Sequence, residues 1–287
     1  MLKKTLIFLM VLLGSYQAVA THNRAGEITY RQTGPLTFEI TLITFTDPTT
    51  LAHQQRTELY FAFSDNTQDT FPRISETLVG TNISRNEYIG THTFPSVGTY
   101  IISVEDPNRN SGVINIPNSV DVSFYLESIV LINPLVGNNS SPILLNSPID
   151  KAVVGIPFVH NPSAYDVDGD SLSYALITCK GENGNNIMGY QFPDASNNLS
   201  IDASGNLLWD SPKMVGEYNI TILIEEWRNG VKVGSIIRDM QITVAPNTIN
   251  NTPPKIQTEQ SFCIVAGDSL NIPILAWDED SVFQDEH

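Results

Sequence analysis

The chain has 287 residues, of which 41% are hydrophobic and only 16% are charged, so it can form packed cores beneath a largely neutral polar surface. Acidic residues outnumber basic residues by 31 to 15, which gives a formal net charge of −16. This balance excludes a nucleic-acid binder, because such a protein needs a basic surface that displaces counterions from phosphates. It also excludes docking to anionic lipid through basic residues.

The first twenty residues have the pattern of a secretory signal peptide. Lys3 and Lys4 supply the positive charge, residues 6–13 form an apolar run, and residues 18–20 form an Ala-Val-Ala cleavage site. An N-terminal anchor helix is the alternative, but the apolar run is far shorter than the ~20 residues that span a bilayer. We therefore expect residues 1–20 to be removed, and the protein to be secreted to an extracellular or outer-membrane surface.

The rest of the chain has the pattern of an all-β protein. Residues 37–42 and 218–222 alternate polar and apolar side chains, as strands with one buried face do. Gly, Pro, Asn and Asp separate short apolar runs at intervals of about ten residues, and no convincing helical periodicity follows the leader. This pattern predicts tandem immunoglobulin-like β-sandwiches.

Two internal repeats share one offset and set the predicted domain boundaries. Residues 139–142 match residues 251–254, and residues 164–168 match residues 276–280, both at an offset of 112 residues. The repeats predict that the chain has four parts, of which the last is the beginning of an incomplete third sandwich. These parts are the leader 1–20, a sandwich at 21–136, a second sandwich at 137–249, and the incomplete repeat at 250–287.

A third match concerns two tyrosines. Residues 97–102 and 215–220 both read Val-Gly-x-Tyr followed by an alternating strand. In many immunoglobulin-like sandwiches the tyrosine at this place closes a corner through its hydroxyl. Tyr100 and Tyr218 are therefore predicted to close two such corners, with simple core packing as the alternative.

Two cysteines, Cys179 and Cys263, fall in different predicted domains. The repeat offset suggests a disulfide within the intact repeat. The second domain would keep Cys179 and have lost its partner, whereas the third would keep Cys263, with its partner expected beyond residue 287. Two unrelated buried thiols are the alternative.

No catalytic signature is present in the sequence. The five histidines are scattered without metal-ligand spacing, and no G-x-S-x-G or phosphate-binding glycine loop occurs. Glu225 and Glu226 are adjacent in a predicted strand, so they point to opposite faces and do not flank one substrate bond. Trp227 is a candidate for stacking on a sugar, with core packing as the alternative. Trp209 is predicted to be core. The chain is predicted not to be an enzyme.

The first predicted domain resembles a polycystic-kidney-disease (PKD) domain. The resemblance is carried by Phe-Ala-Phe-Ser-Asp-Asn-Thr at 61–67, Thr-His-Thr-Phe-Pro at 91–95 and Val-Gly-Thr-Tyr at 97–100. Ser64 and Asn66 replace the two glycines of the family's turn. Asn tolerates the left-handed conformation that such a turn needs, whereas Ser does so poorly.

The second and third predicted domains resemble cadherin-like repeats of bacterial surface proteins. Asn-Pro linkers followed by Ala-x-Asp-x-Asp carry this resemblance, which implies Ca²⁺ bound at domain junctions. It assigns Asp166 and Asp168 to one junction, with Asp170 as a further donor, since Ca²⁺ takes oxygen ligands. It assigns to the next junction a second set of residues: Asp278, Asp280, Glu225, Glu226, Asn250 and Asn251. An acidic solvated turn is the alternative at either place.

The whole mature chain is similar to the N-terminal part of large Bacteroidetes surface proteins that carry a gliding-motility-associated C-terminal domain. Residues 21–30, 105–110 and 224–230 carry the similarity. It implies export by the type IX secretion system, through a sorting domain expected beyond residue 287. It also implies a non-enzymatic, calcium-stiffened stalk for adhesion or gliding-associated display, whose partner is an extracellular polymer, a surface or a neighbouring surface protein.

Two other functions remain open at this point. The chain could be the accessory region of a larger exported hydrolase, binding carbohydrate or protein. It could also be a glycan-binding module, with Trp227 and Tyr165 as the stacking residues.

Overall fold

The computed structural model of the chain describes residues 23–107, 109–248, 254–259, 262–265, 267 and 269–278. The predicted leader at 1–20 lies outside the described residues, as do Asp280, Asn250 and Asn251. Among the residues that are described, no helix has the length and apolar character needed to cross a membrane. The described structure is nearly all β, as predicted.

The first part of the chain, here called unit 1 (residues 23–136), is built from seven strands. They pair in the order β1-β2-β5-β4-β3-β6-β7, which curls around one apolar core. A five-residue helix, α1 (Leu51–Gln55), was not predicted; Thr50 caps its N-terminus by accepting a hydrogen bond from the His53 amide. The strands are β1 Ala25–Gln32, β2 Thr37–Thr46, β3 Glu58–Phe63, β4 Gln68–Gly80, β5 Ile83–Thr93, β6 Gly98–Asp106 and β7 Phe124–Ile132.

The second part, unit 2 (residues 137–248), is a sandwich of two facing sheets. One sheet has the order β9-β16-β15-β12 and the other has the order β10-β14-β13, while β8 and β11 form a separate pair. Trp209 is completely buried between the sheets, as predicted. The strands are β8 Ile143–Leu144, β9 Ile149–Val153, β10 Phe158–His160, β11 Ala164–Tyr165, β12 Ser171–Ile177, β13 Leu199–Ile201, β14 Leu207–Trp209, β15 Gly216–Arg228 and β16 Val231–Ala245.

Two short 3₁₀ helices and a small hairpin complete the described elements. The 3₁₀ helices span Ser119–Asp121 and Glu182–Gly184. The hairpin pairs β17 (Lys255–Gln257) with β18 (Leu275–Trp277) and lies in the predicted third repeat.

Strand β16 belongs to both units. Along one edge it pairs with β15 for almost its whole length, and along the other it pairs in turn with β7, β1 and β9. Because side chains alternate across a strand, Ile237 packs in the core of unit 1 while Ile236 and Met240 pack in the core of unit 2. The last strand of unit 2 therefore bridges the first and last strands of unit 1.

A loop of unit 1 also crosses onto unit 2. The segment between β6 and β7 lies along the start of β15, where the Ile114 amide donates to the Glu217 carbonyl at 2.8 Å. The Asn115 side chain bonds both the amide and the carbonyl of Asn219, at 2.9 and 2.7 Å. Main-chain groups of unit 2 are thus satisfied by unit 1.

Two buried ion pairs join the units. Arg238 of β16 donates to Glu27 of β1 at 2.7 Å, and both side chains are at most 4% exposed. Arg109 donates to Asp239 at 2.7 Å, with both side chains at most 1% exposed. Removing one member of such a pair leaves a buried charge without compensation, so each pair fixes the contact between the units.

Both predicted tyrosine corners are present. The Tyr100 hydroxyl donates to the Ser96 carbonyl at 3.1 Å, and the Tyr218 hydroxyl donates to the Met214 carbonyl at 3.0 Å. Both rings are also buried. In the turn between β3 and β4, Asn66 has the left-handed conformation expected of it, with φ of 70°.

Both cysteines are free thiols in the structure. Cys179 is completely buried and accepts a hydrogen bond from the Thr221 hydroxyl at 3.1 Å, whereas Cys263 is exposed. Burial raises the pKa of the Cys179 thiol to about 12, so the thiol stays protonated and unreactive.

Candidate cation site at the junction of the units

The loop between β11 and β12 folds around Asp166. One oxygen of this carboxylate, Oδ1, accepts hydrogen bonds from the amides of Asp168 and Asp170, each at 2.9 Å. Gly169 supplies the left-handed turn between them, with φ of 82°. The other oxygen, Oδ2, is buried and receives no hydrogen bond from an amide, hydroxyl or basic group of the described residues, so its available partners are a proton on the neighbouring Glu226 carboxyl or a bound cation. Since buried polar atoms normally have a partner, this oxygen is available to bind a ligand.

Two further carboxylates lie close to Asp166. Glu226 of β15 is completely buried, and ligand oxygens of Asp166, Asp170 and Glu226 all lie within 4.8 Å of one another. Glu225 points to the opposite face of the sheet, where it pairs with Lys232 at 2.7 Å, as predicted for adjacent strand residues. Three carboxylates at this spacing form the kind of all-oxygen donor set that Ca²⁺ and Mg²⁺ prefer.

Unit 1 and the linker complete the surroundings of Glu226. The Tyr30 hydroxyl lies 3.1 Å from Glu226 Oε2, and the Asn139 amide group donates to Oε1 at 3.3 Å. Gly234 of β16 lies directly beneath, and a Cβ atom there would collide with Glu226 and Tyr30. The site is therefore formed by both units and the segment that connects them.

Arg228 ties the linker to the acidic loop. Its guanidinium donates to both oxygens of Asp170, at 2.7 and 2.6 Å. It also donates to the carbonyls of Val136 and Asn138, at 2.9 and 2.7 Å. One side chain thus holds the linker against the acidic loop, at the junction where the cadherin-like resemblance implies a bound Ca²⁺.

Electrostatics at the site favour a proton or a cation on Glu226. Burial, followed by the negative charge of Asp166, raises the pKa of Glu226 to about 9. Burial also raises the pKa of Tyr30 well above its ordinary value, so the hydroxyl keeps its proton. A divalent cation between Asp166 and Glu226 would supply the positive charge that otherwise comes from that proton.

The predicted ligands divide into three groups. Asp166, Asp170 and Glu226 come together, while Asp168 turns aside to accept a hydrogen bond from the Ser140 amide at 2.6 Å. The structure places Glu226 at this first junction and not with Asp278 at the next, because β15 runs beside β12. Asp280 and Asn251, with which it was grouped, lie outside the described residues.

The sugar-stacking candidates differ in their surroundings. Trp227 is half-buried at the end of β15, and its indole N–H donates to the Ser173 hydroxyl at 3.0 Å. Tyr165 is 59% exposed. The tryptophan is thus held by the sheet, and the tyrosine is the more accessible ring.

One cluster of polar side chains in unit 1 was not predicted from the sequence. The Thr46 hydroxyl lies 2.7 Å from His53 Nδ1, and His53 Nε2 lies 2.9 Å from Glu76. This order of groups resembles a nucleophile, base and acid. However, Thr46 is only 4% exposed and its hydroxyl also accepts a hydrogen bond from Asn86 at 2.8 Å. The hydroxyl is part of the packed interior, where a substrate does not reach it.

Comparisons with known proteins add little to this geometry. No family model and no curated protein matches the chain. A crystal structure of the N-terminal four Ig domains of Dscam1 isoform 6.44 matches at 8% identity, covering 83% of this chain and 81% of that chain, with a TM-score of 0.21. A likeness of that size carries no argument about this chain, so the β-sandwich assignment rests on the strands, pairings and cores described above.

Proposed function

We propose that the chain is a non-enzymatic β-sandwich module of a secreted surface protein, in which two units form one rigid support for adhesion or display. The observation that carries this proposal is the shared strand β16, which is hydrogen-bonded to β7 and β1 of unit 1 and to β15 of unit 2. A stalk that presents a binding surface needs such a joint, because a flexible linker would let the units reorient. The predicted leader at residues 1–20 supports an extracellular setting.

The cell-surface setting is tested by antibody labelling, and the adhesive role is tested by binding of the purified chain. Antibody raised against the purified chain is applied to intact and permeabilised cells of the source organism. We expect the label on intact cells, and we expect the purified chain to bind an extracellular polymer or a cell surface. Label that requires permeabilisation would contradict the proposal.

We further propose that the three-carboxylate site binds Ca²⁺ and thereby stiffens the junction. The support is the buried Asp166 oxygen that no amide, hydroxyl or basic group of the described residues reaches, the all-oxygen donor set, and the contacts of Glu226 with Tyr30 of unit 1 and Asn139 of the linker. Bound only by the folded protein, the ion would stabilise it by about 2.7 kcal/mol at a free concentration one hundred times Kd.

The calcium proposal has a matched control within the chain. Asp202 accepts the amides of Ser204 and Asn206, each at 2.9 Å, in a loop like that of Asp166. In calorimetry and thermal melting with CaCl₂, the wild type and Asp202→Asn should bind and be stabilised, whereas Asp166→Asn should not. No heat and unchanged melting of the wild type at millimolar calcium would refute it.

A further inference from the structure

Strand β12 leaves one edge of the large sheet unpaired. It is the last strand in the pairing order and joins β15 through seven residue pairs, from Ser171 to Ile177. In the described part of the chain, no main-chain hydrogen bond reaches its other edge. A free edge presents N–H and C=O groups that can pair with a strand from another chain.

The other free edges of unit 2 are protected in ways that β12 is not. Strands β10 and β13 have only three residues each, and β9 carries Asp150 and Lys151. Short length and charge are two ordinary means by which proteins prevent edge-to-edge association. By contrast, β12 has seven residues, Ser-Leu-Ser-Tyr-Ala-Leu-Ile, with neither a charge nor a proline.

The core of unit 2 is also open along this edge. Three apolar side chains of β12 and two of β13 pack against the core but are only partly buried: Leu172, Tyr174, Leu176, Leu199 and Ile201. Core residues of the central strands, such as Ile222 and Ile242, are completely buried. A strand added beside β12 would therefore cover apolar surface as well as pair the free main-chain groups.

We propose that this edge is a pairing surface for a second copy of the chain, with the two β12 strands antiparallel about a two-fold axis at Tyr174. In that register Leu172 lies opposite Leu176, and Ser173 lies opposite Ala175. Residues of the same face meet because opposite positions differ by an even number, so apolar side chains meet apolar ones.

The expected dimer is weak and reversible. A pair of seven-residue strands buries less than the ~1,200 Å² of a stable complex, and each copy carries a formal net charge of −16 that repels the other. Salt screens this repulsion. Association should therefore strengthen as ionic strength rises, whereas capture of a basic peptide by the same edge would weaken.

Sedimentation of the full chain at micromolar to near-millimolar concentrations tests the proposal. We expect a monomer–dimer equilibrium that shifts toward the dimer in high salt. Ala175 is exposed on β12, so Ala175→Glu should leave folding intact and weaken the dimer about tenfold by placing carboxylates near each other across the pair. The control is Val159→Glu on the short strand β10, where the residue is 60% exposed; it adds the same charge and should leave the dimer in place.

Hydrogen exchange then locates the contact. Amides of residues 171–177 should become more protected as concentration rises in the wild type and not in Ala175→Glu. This distinguishes the β12 edge from the exposed apolar residues of 254–278, such as Ile256 and Leu275. A monomer at all concentrations and salts, a dimer that survives Ala175→Glu, or protection confined to another segment would each overturn the proposal.

Discussion

At the scale of single residues, the chain places several ionisable groups where water does not reach. Glu27, Arg109, Glu226, Arg238 and Asp239 are all buried, and four of them form two ion pairs. Glu226 is the exception, because its neighbours are Asp166, Tyr30 and Asn139 and none of these is a cation. Its carboxyl group therefore keeps a proton at neutral pH.

The raised pKa of Glu226 predicts a stability that falls as pH rises. Between about 4.5 and about 9 the folded state binds a proton that the unfolded state has released, so this contribution is greatest below that range and is lost through it. Each unit of pKa difference corresponds to about 1.4 kcal/mol, so the loss is of the order of several kcal/mol. Chemical denaturation in EDTA at several pH values measures it.

Two glutamine variants isolate the residue responsible. Glu226→Gln should be more stable than the wild type at pH 8 and should lose most of the slope over this range. Glu225→Gln, on the opposite face and beside Lys232, should keep the wild-type slope. A slope that survives Glu226→Gln would place the titration elsewhere.

The sequence predicted part of this site. The Ala-x-Asp-x-Asp-Gly-Asp motif identified Asp166 and Asp170, because their spacing in a short loop brings them together locally. It did not identify Tyr30, which is 196 residues from Glu226, nor the role of Arg228. Those contacts depend on how β1 and β15 lie on either side of β16, and no local pattern encodes that.

At the scale of elements, β16 has the largest role. Thirteen of its fifteen residues pair with β15 on one edge, and the other edge pairs with three strands of the two units. Alternation of side chains predicted strands throughout the chain, and the Gly-x-Tyr motifs predicted both tyrosine corners. The dual pairing of β16 was not predicted, because a strand that lies between two cores can show the same alternation of side chains as any other strand. Helix α1 was not predicted, because five residues are too few to show the periodicity of a helix.

The ion pair between β16 and β1 gives a test of this joint. Arg238→Ala leaves Glu27 buried without a partner and should cost about 3–5 kcal/mol of unfolding free energy. Arg31→Ala removes the exposed pair with Glu39, whose side chains are 65% and 37% exposed, and should cost less than about 1 kcal/mol. Equal effects in chemical denaturation would mean that the buried pair does not hold the units together.

At the scale of the whole molecule, the repeats predicted two sandwiches but not their fusion. A repeat offset reports that two segments share a pattern, and it carries no information on how the segments meet. The structure adds a shared strand, a crossing loop and two buried ion pairs between the units. If these contacts act together, neither unit unfolds while the other stays folded.

Hydrogen exchange of the native protein in increasing denaturant tests this cooperativity most directly. Amides in the centre of β2, in unit 1, and of β15, in unit 2, are followed in the same sample. The shared strand predicts that both sets exchange through one global opening, with the same free energy and the same dependence on denaturant. Exchange of one unit through a separate, lower-energy opening, while the other remains protected, would contradict a single rigid body.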